Sequence, residues 1–176
     1  MKRNIIIPNI VIPRLTSISL LYNIVFTMLE TPHVFIGAAI AVAVPNPLIS
    51  IPLAFASHFV MEMVPHWNPH LNTEMEKFGK PTRRSTAITA VDSTLALVSG
   101  SFIAFQVLPD ISQALLILAC CFASVLPDVM EGPYFFLKMR TKWITKWISF
   151  QKSLQNDTTA FWGLLTQLLT IAAVIF

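Results

Sequence analysis

The sequence predicts an all-α, multi-pass membrane protein, and three observations support this fold class. Hydrophobic residues make up 55% of the 176 residues and charged residues only 12%, whereas soluble domains contain roughly 25% charged residues. The mean hydropathy is +0.66. Several apolar stretches approach the length of about 20 residues that an α-helix needs to cross a bilayer. We therefore expect one helical domain over residues 31–176, located in the cytoplasmic membrane with the lipid bilayer as its partner.

Two helical hairpins form the centre of the predicted domain. The first covers residues 33–64 and turns at the sequence PNP, and the second covers residues 85–126 and turns at LPD. Proline ends one helix and is tolerated at the start of the next, and short connections make neighbouring helices antiparallel. The apolar residues 158–176 predict an additional C-terminal transmembrane helix.

Basic residues follow both hairpins, at positions 77–84 and 138–152, whereas the two turns contain neither lysine nor arginine. By the positive-inside rule, both basic loops lie on the cytoplasmic side. Trp143 and Trp147 are interleaved with lysines at helical spacing, which predicts an interfacial amphipathic helix within residues 133–152; an ordinary basic loop is the alternative. These loops explain the net charge of +3, and no basic stripe interleaved with aromatic residues elsewhere favours a nucleic-acid partner.

Residues 1–30 are expected to form an N-terminal extension outside the helical core. Their apolar run lacks the cleavage pattern of a signal peptide. As a membrane crossing, this run would leave Lys2, Arg3 and Arg14 outside, against the charge rule. Two interpretations follow: an interfacial segment, or a chain whose natural start is Met28.

The two hairpins end in similar sequences, FASHFVMEMVPHWN and FASVLPDVMEGP. Each contains FAS, an apolar run, and a proline followed by a potential metal ligand. A parallel internal repeat about an axis along the membrane normal would bring His33, His66, Asp92 and Asp128 to the same cytoplasmic level. Chance similarity is the alternative interpretation.

Histidine and acidic residues concentrate near that level, and they predict a metal site. His58, Glu62 and His66 lie four residues apart and therefore share one face of a helix. Glu62 and Asp92 are the acids embedded within apolar segments, where an ionisable side chain costs at least about 2.5–3.5 kcal/mol and tends to be functional. Such ligands suit zinc, manganese or iron. The candidate ligands are His33, His58, Glu62, His66, Asp92 and Asp128, with Glu62 and Asp92 as alternative catalytic bases.

Each candidate also has a structural interpretation. Glu62 could form a hydrogen bond with His58, and Asp92 could bond a serine or threonine across a helix interface. His33 could cap the start of a helix, and the other two candidates could be polar residues that end helices at the lipid headgroups.

A metal at these residues would lower the pKa of its water towards about 7 and supply a nucleophile for attack on an ester or phosphoester. A site at the membrane surface favours a lipid or lipid-linked substrate. The predicted function is therefore a membrane-embedded, metal-dependent hydrolase. Two alternatives stay open: a small transporter or proton-coupled carrier in which His58, Glu62 and Asp92 form a protonation relay without a metal, and a structural membrane protein whose polar residues join helices at about 1 kcal/mol each.

Three short sequences, TPHVFIGAAIA, PHWNPH and LPDVME, resemble the membrane-bound, predicted metal-dependent hydrolases of bacteria and archaea, small inner-membrane proteins of which one branch is described as LexA-regulated. The resemblance covers about residues 31–132. It implies a helical membrane fold, a hydrolase activity and metal-site residues at His33 and Asp128. The chain departs from the family pattern at residues 65–68, where Pro-Asp-x-Asp is more usual, and at residues 83–86, where a histidine-bearing Arg-Gly-x-Thr-His-Ser segment is expected.

Overall fold

A computed structural model describes residues 30–175, and this part of the chain contains eight helices and no β-strand. The all-α fold class is therefore confirmed. The predicted N-terminal extension lies outside the described residues, apart from Glu30. The helices are α1 (Thr31–Ala43), α2 (Pro47–Glu62), α3 (Leu71–Phe78), α4 (Arg83–Gln106), α5 (Ile111–Val129), α6 (Gly132–Phe136), α7 (Lys142–Leu154) and α8 (Ala160–Ile175).

Proline and capping side chains set the helix boundaries at both predicted turns. In PNP, Asn46 caps α2 because its side-chain oxygen accepts a hydrogen bond from the Leu48 N–H at 3.0 Å. Pro47 occupies the first position of α2. In LPD, Asp110 caps α5 by accepting a hydrogen bond from the Gln113 N–H at 3.0 Å. Such caps satisfy N–H groups that lack a partner at the start of a helix.

The helix boundaries differ from the predicted ones in three places. α3 lies between the hairpins, where the sequence indicated only a basic loop, and it ends at Gly79 in the left-handed conformation with φ 67°. α5 continues through Pro127 to Val129, so Asp128 lies on this helix instead of following it. The predicted interfacial segment 133–152 divides between α6 and α7, which are separated at residues 137–141.

α1 and α5 form the centre of the fold. α1 packs against α2, α4, α5 and α8, and α5 packs against α1, α2 and α4. Small residues let the two central helices approach closely, because a Cβ atom at Gly37 would lie 2.6 Å from the carbonyl oxygen of Cys120. Cys120 and Cys121 are buried, free thiols, so they also contribute small side chains to the interior.

α4 and α5 are long and apolar enough to cross a membrane. In an apolar stretch of 18 residues within each helix, only 28% of the residues of α4 and 39% of those of α5 are buried within the described chain. Large apolar side chains such as Leu97 and Phe102 are exposed on α4. α1, α2 and α8 are apolar but shorter. The two longest helices therefore direct apolar surface outward, unlike the mostly buried core helices of soluble proteins.

The loop after α2 is fastened to the segment that precedes α8. The His66 N–H donates to the Asn156 carbonyl at 3.1 Å, and the Thr158 N–H donates to the His66 carbonyl at 3.0 Å. The Asn156 N–H also donates to the Glu62 carbonyl at 3.1 Å, which satisfies an acceptor at the end of α2. These backbone hydrogen bonds hold His66 close to the end of α2.

Candidate metal centre

Four side chains from three helices converge at one end of the bundle. His33 lies in the first turn of α1, His58 and Glu62 lie near the end of α2, and Asp128 lies in the last turn of α5. Each offers one ligand atom, and these atoms all lie within 4.8 Å of one another. This acid–histidine cluster could hold a metal ion.

Distances within the acid–histidine cluster fit a shared ion. Nε2 of His33 lies 3.6 Å from Oε1 of Glu62, and Nε2 of His58 lies 3.5 Å from Oδ1 of Asp128. Two ligands bound tetrahedrally at about 2.1 Å from zinc lie roughly 3.4 Å apart. The rings of His33 and His58 also stack, with 4.3 Å between their centroids, so the two imidazoles reach the cluster side by side.

Two further residues orient the His58 ring. Nδ1 of His58 donates a hydrogen bond to the Ser124 carbonyl at 2.9 Å, the kind of bond that orients a histidine for coordination through its other nitrogen. Nε2 of His58 lies 2.9 Å from the side-chain oxygen of Gln151. Because Gln151 Nε2 donates to Pro127 and Glu131, its oxygen is the acceptor, so metal binding through His58 Nε2 requires Gln151 to release that nitrogen.

The His33 ring has one nitrogen that faces the cluster and one that is buried without a partner. Its Nδ1 is buried and has no hydrogen-bond partner among residues 30–175. Leaving a buried polar atom unpaired costs about 1–3 kcal/mol, so this imidazole is held in place without a hydrogen bond to Nδ1. Its Nε2 faces Glu62 at 3.6 Å and is the nitrogen placed to act as a ligand.

Two of the six predicted ligands stand outside the four-residue group. His66 lies beside it, with Nε2 at 3.7 Å from Oε2 of Glu62. Asp92 is fully buried, and its carboxylate accepts hydrogen bonds from the Glu30 N–H and, at 2.7 Å, from the Thr31 hydroxyl. This carboxylate therefore caps the start of α1, which matches the structural interpretation in which Asp92 bonds a threonine across a helix interface.

Glu62 contacts residues other than His58, the hydrogen-bond partner that its structural interpretation predicted. The predicted alternative paired Glu62 with His58, whereas its carboxylate oxygens face His33 and His66. His58 faces Asp128 instead. The two carboxylates of the acid–histidine cluster thus contact different imidazoles.

Three residues near the cluster were absent from the sequence prediction: Glu30, Glu131 and Gln151. Burial and the neighbouring Asp128 carboxylate raise the pKa of Glu131 to about 8. Burial and the carboxylates of Asp128 and Asp92 raise the pKa of Glu30 well above its ordinary value. With a pKa of about 8, Glu131 holds a proton at neutral pH. The sequence contained a signal for Glu131, which closes the LPDVME motif, but none for the tertiary contacts of Gln151.

A cavity of about 140 Å³ opens beside the cluster. Glu62, Asp128, His66 and Glu131 line this polar cavity, together with residues of the 68–73 loop and the start of α3. Two cluster carboxylates and a protonated acid therefore meet a space that a small polar group can enter.

Comparisons with protein-family models, curated proteins and solved structures found no match to this chain. A buried cluster of two histidines and two carboxylates, beside a polar cavity, has the donor set of a divalent-metal site.

Proposed function

We propose that this protein is a multi-pass protein of the cytoplasmic membrane that hydrolyses a membrane-associated ester or phosphoester with the help of a divalent metal ion. The observation that carries this proposal is the convergence of His33, His58, Glu62 and Asp128 within 4.8 Å. The resemblance to membrane-bound, predicted metal-dependent hydrolases implies the same activity.

The exposed apolar surface supports the membrane part of the proposal. α4 and α5 have the length and composition of membrane spans, and exposed aliphatic and aromatic side chains occur along both. Large exposed apolar patches mark membrane or partner surfaces in folded proteins. α7 adds an amphipathic helix with exposed Trp143 and basic residues, as an interfacial helix requires.

Charge balance supports the metal. Two ionised carboxylates in a mostly buried cluster need a compensating cation. Both ring nitrogens of His58 donate hydrogen bonds, so its imidazole supplies one positive charge, and a divalent ion bound at Nε2 would replace that proton and balance both carboxylates. Zinc, manganese or iron would act as a Lewis acid on the substrate oxygen and lower the pKa of water. His33, His58, Glu62 and Asp128 would hold that ion.

The neighbouring residues supply proton transfer. Nδ1 of His66 lies 2.8 Å from the Val64 carbonyl and donates to it, so Nε2 keeps a lone pair that can accept a proton from water. The water oxygen then bonds to the carbonyl carbon or phosphorus of the substrate. As the bond to the leaving oxygen breaks, that oxygen takes a proton from Glu131, whose raised pKa keeps it protonated. Proton exchange with solvent restores both residues.

Metal content tests the proposal. The protein is reconstituted in nanodiscs, equilibrated with zinc, washed and analysed by inductively coupled plasma mass spectrometry. We expect stoichiometric zinc in the wild type, loss of zinc in His58→Gln and Glu62→Gln, and retention in the matched controls His70→Gln and Glu76→Gln, which change exposed residues. Circular dichroism confirms that each variant is folded.

Hydrolysis is measured on the same samples with p-nitrophenyl esters and phosphoesters. Activity that disappears on chelation and returns with zinc supports the proposed function. Wild-type protein that is folded but binds neither zinc, manganese nor iron contradicts it.

A proton-coupled carrier is the second candidate, favoured by one observation. Glu62 faces His33 on one side and His66 on the other, at 3.6 and 3.7 Å, and this row of three titratable side chains leads to the polar cavity, which Glu62 and His66 line. This candidate predicts pH-driven flux in proteoliposomes that chelators leave unchanged.

A further inference from the structure

A second, larger cavity of about 500 Å³ adjoins the polar cavity. Its volume lies within the range of roughly 300–1,000 Å³ that is typical of small-molecule sites. The two cavities share five lining residues: Glu30, Thr89, Asp128, Gly132 and Phe136. A single ligand can therefore extend from one cavity into the other past Asp128.

The larger cavity, the apolar groove, follows α4 and α5. On α4 its lining runs from Thr89 to Ser101, and these two residues lie about 18 Å apart along the helix axis. On α5 it runs back from Val129 to Leu118. Apart from the acids near Asp128 and three hydroxyl side chains of α4, the lining is apolar or lacks a side chain. The groove is thus long and mostly apolar, and its acidic residues lie at one end only.

The groove opens to the side of the protein. Leu97 on α4 and Phe122 on α5 line it, yet 71% and 57% of their surfaces are exposed. α4 and α5 are also the two helices with the length and composition of membrane spans. A groove between two such helices opens into the hydrocarbon of a bilayer, where acyl chains are the available apolar ligands.

From this arrangement, and resting on the proposed function, we propose that the substrate is an acyl lipid. One acyl chain occupies the apolar groove between α4 and α5, and the scissile ester lies at Asp128, where the groove meets the polar cavity. The headgroup extends into the polar cavity, towards His66 and Glu131. The site thereby distinguishes long-chain esters from short-chain esters through contacts with the chain.

The first test measures binding without catalysis. The full chain in nanodiscs, with chelator present, is incubated with a diazirine-labelled palmitoyl lysophosphatidylcholine, irradiated and mapped by peptide mass spectrometry. We expect labelling of α4 and α5 at residues 97–101 and 118–125. Absence of label from these two segments, as a groove filled by protein would produce, overturns the proposal.

Two tryptophan substitutions on α4 sharpen the test. Ser93 lines the groove and is exposed, so Ser93→Trp fills the groove without replacing a buried side chain. Thr94 is its exposed neighbour outside the groove lining, so Thr94→Trp is the matched control. The Trp side chain would displace part of the acyl chain, and each displaced methylene loses its apolar contacts with the groove. We therefore expect Ser93→Trp to weaken probe binding about tenfold and Thr94→Trp to leave it unchanged. Equal effects of both substitutions overturn the proposal.

Chain-length kinetics separate this proposal from the proposed function. In zinc-loaded protein, Ser93→Trp should lower the ratio of kcat/KM for p-nitrophenyl palmitate to kcat/KM for p-nitrophenyl acetate about tenfold, and Thr94→Trp, outside the groove lining, should leave this ratio unchanged. Hydrolysis of both esters with no chain-length effect of Ser93→Trp overturns the acyl groove and leaves the hydrolase intact. Probe binding without any hydrolysis contradicts the proposed function and supports the groove.

Discussion

The side-chain oxygen of Gln151 accepts a hydrogen bond from Nε2 of His58 at 2.9 Å, although 93 residues separate them in the chain. Gln151 also donates to the Pro127 carbonyl at 3.1 Å and to the Glu131 carboxyl group at 2.8 Å. Through this one residue, the amphipathic helix α7 contacts α2, the end of α5 and the segment that follows it. The predicted membrane-surface helix is thus connected directly to the acid–histidine cluster.

Replacing Gln151 should strengthen metal binding while it weakens the fold. In Gln151→Leu, zinc no longer competes with a hydrogen bond for His58 Nε2, and since such a bond contributes about 1 kcal/mol, we expect zinc affinity to rise about fivefold to tenfold. The loss of the bonds to Pro127 and Glu131 should lower the free energy of unfolding by about 1–3 kcal/mol. Zinc titration and thermal unfolding measure the two effects.

Ser149→Ala is the control on the same helix. Ser149 is exposed, and its hydroxyl bonds the Thr145 carbonyl of its own helix at 2.9 Å. Both zinc affinity and Tm should stay near the wild-type values. Weaker zinc binding in Gln151→Leu would show that Gln151 supports the ligand instead of competing with the ion.

Asp92→Asn should destabilise the protein and leave its metal content intact. The Asp92 carboxylate bonds the Glu30 N–H and the Thr31 hydroxyl at the start of α1, and the amide retains only one acceptor oxygen. We expect a loss of about 1–3 kcal/mol in the free energy of unfolding, measured by thermal unfolding, together with the wild-type zinc stoichiometry below the Tm. Loss of zinc from folded Asp92→Asn protein would return Asp92 to the ligand set.

Gly37→Ala should lower Tm because α1 and α5 are in close contact there. The added Cβ would lie 2.6 Å from the Cys120 carbonyl oxygen and 2.8 Å from the Ser124 hydroxyl, so the helices must separate. Overpacking of this kind costs about 1–3 kcal/mol. The same change at Gly132, where a Cβ meets no atom within 4 Å, is the control. Equal Tm values for both variants would show that the α1–α5 interface tolerates added volume.

Glu74 should make stability depend on pH. Burial favours the neutral acid, but hydrogen bonds from the Thr82 N–H at 2.7 Å, the Ser85 hydroxyl at 2.7 Å and the Thr82 hydroxyl lower the pKa of Glu74 below its ordinary value. A lowered folded-state pKa contributes stability above the unfolded-state value, and this contribution is lost as pH falls through the folded-state pKa.

Glu74→Gln should therefore lower Tm at neutral pH, and the difference from the wild type should shrink in acid. Thermal unfolding from about pH 7 to about pH 3 measures this convergence. Glu76→Gln changes a side chain that is 73% exposed and should have little effect at either pH. A Tm difference for Glu74→Gln that stays constant with pH would assign its effect to side-chain shape instead of charge.

The all-α fold, the two proline turns and the position of His58 and Glu62 on the same face of α2 were predictable because their causes are local. Long apolar stretches favour helices. Proline interrupts a helix because it has no backbone N–H to donate. Residues four apart are neighbours on any helix. The sequence could also indicate that acids within apolar segments need partners. It could not identify those partners.

Tertiary structure decided which candidates meet. Successive residues point about 100° apart around a helix axis, so the rotation and crossing of α1, α4 and α5 determine where each side chain is directed. Those packed arrangements bring His33 and Asp128 to the pair on α2, direct Asp92 to the cap of α1 and place Gln151 against His58. Local sequence determined which polar residues this protein carries on its helices, whereas contacts between distant segments decided which of them form one site.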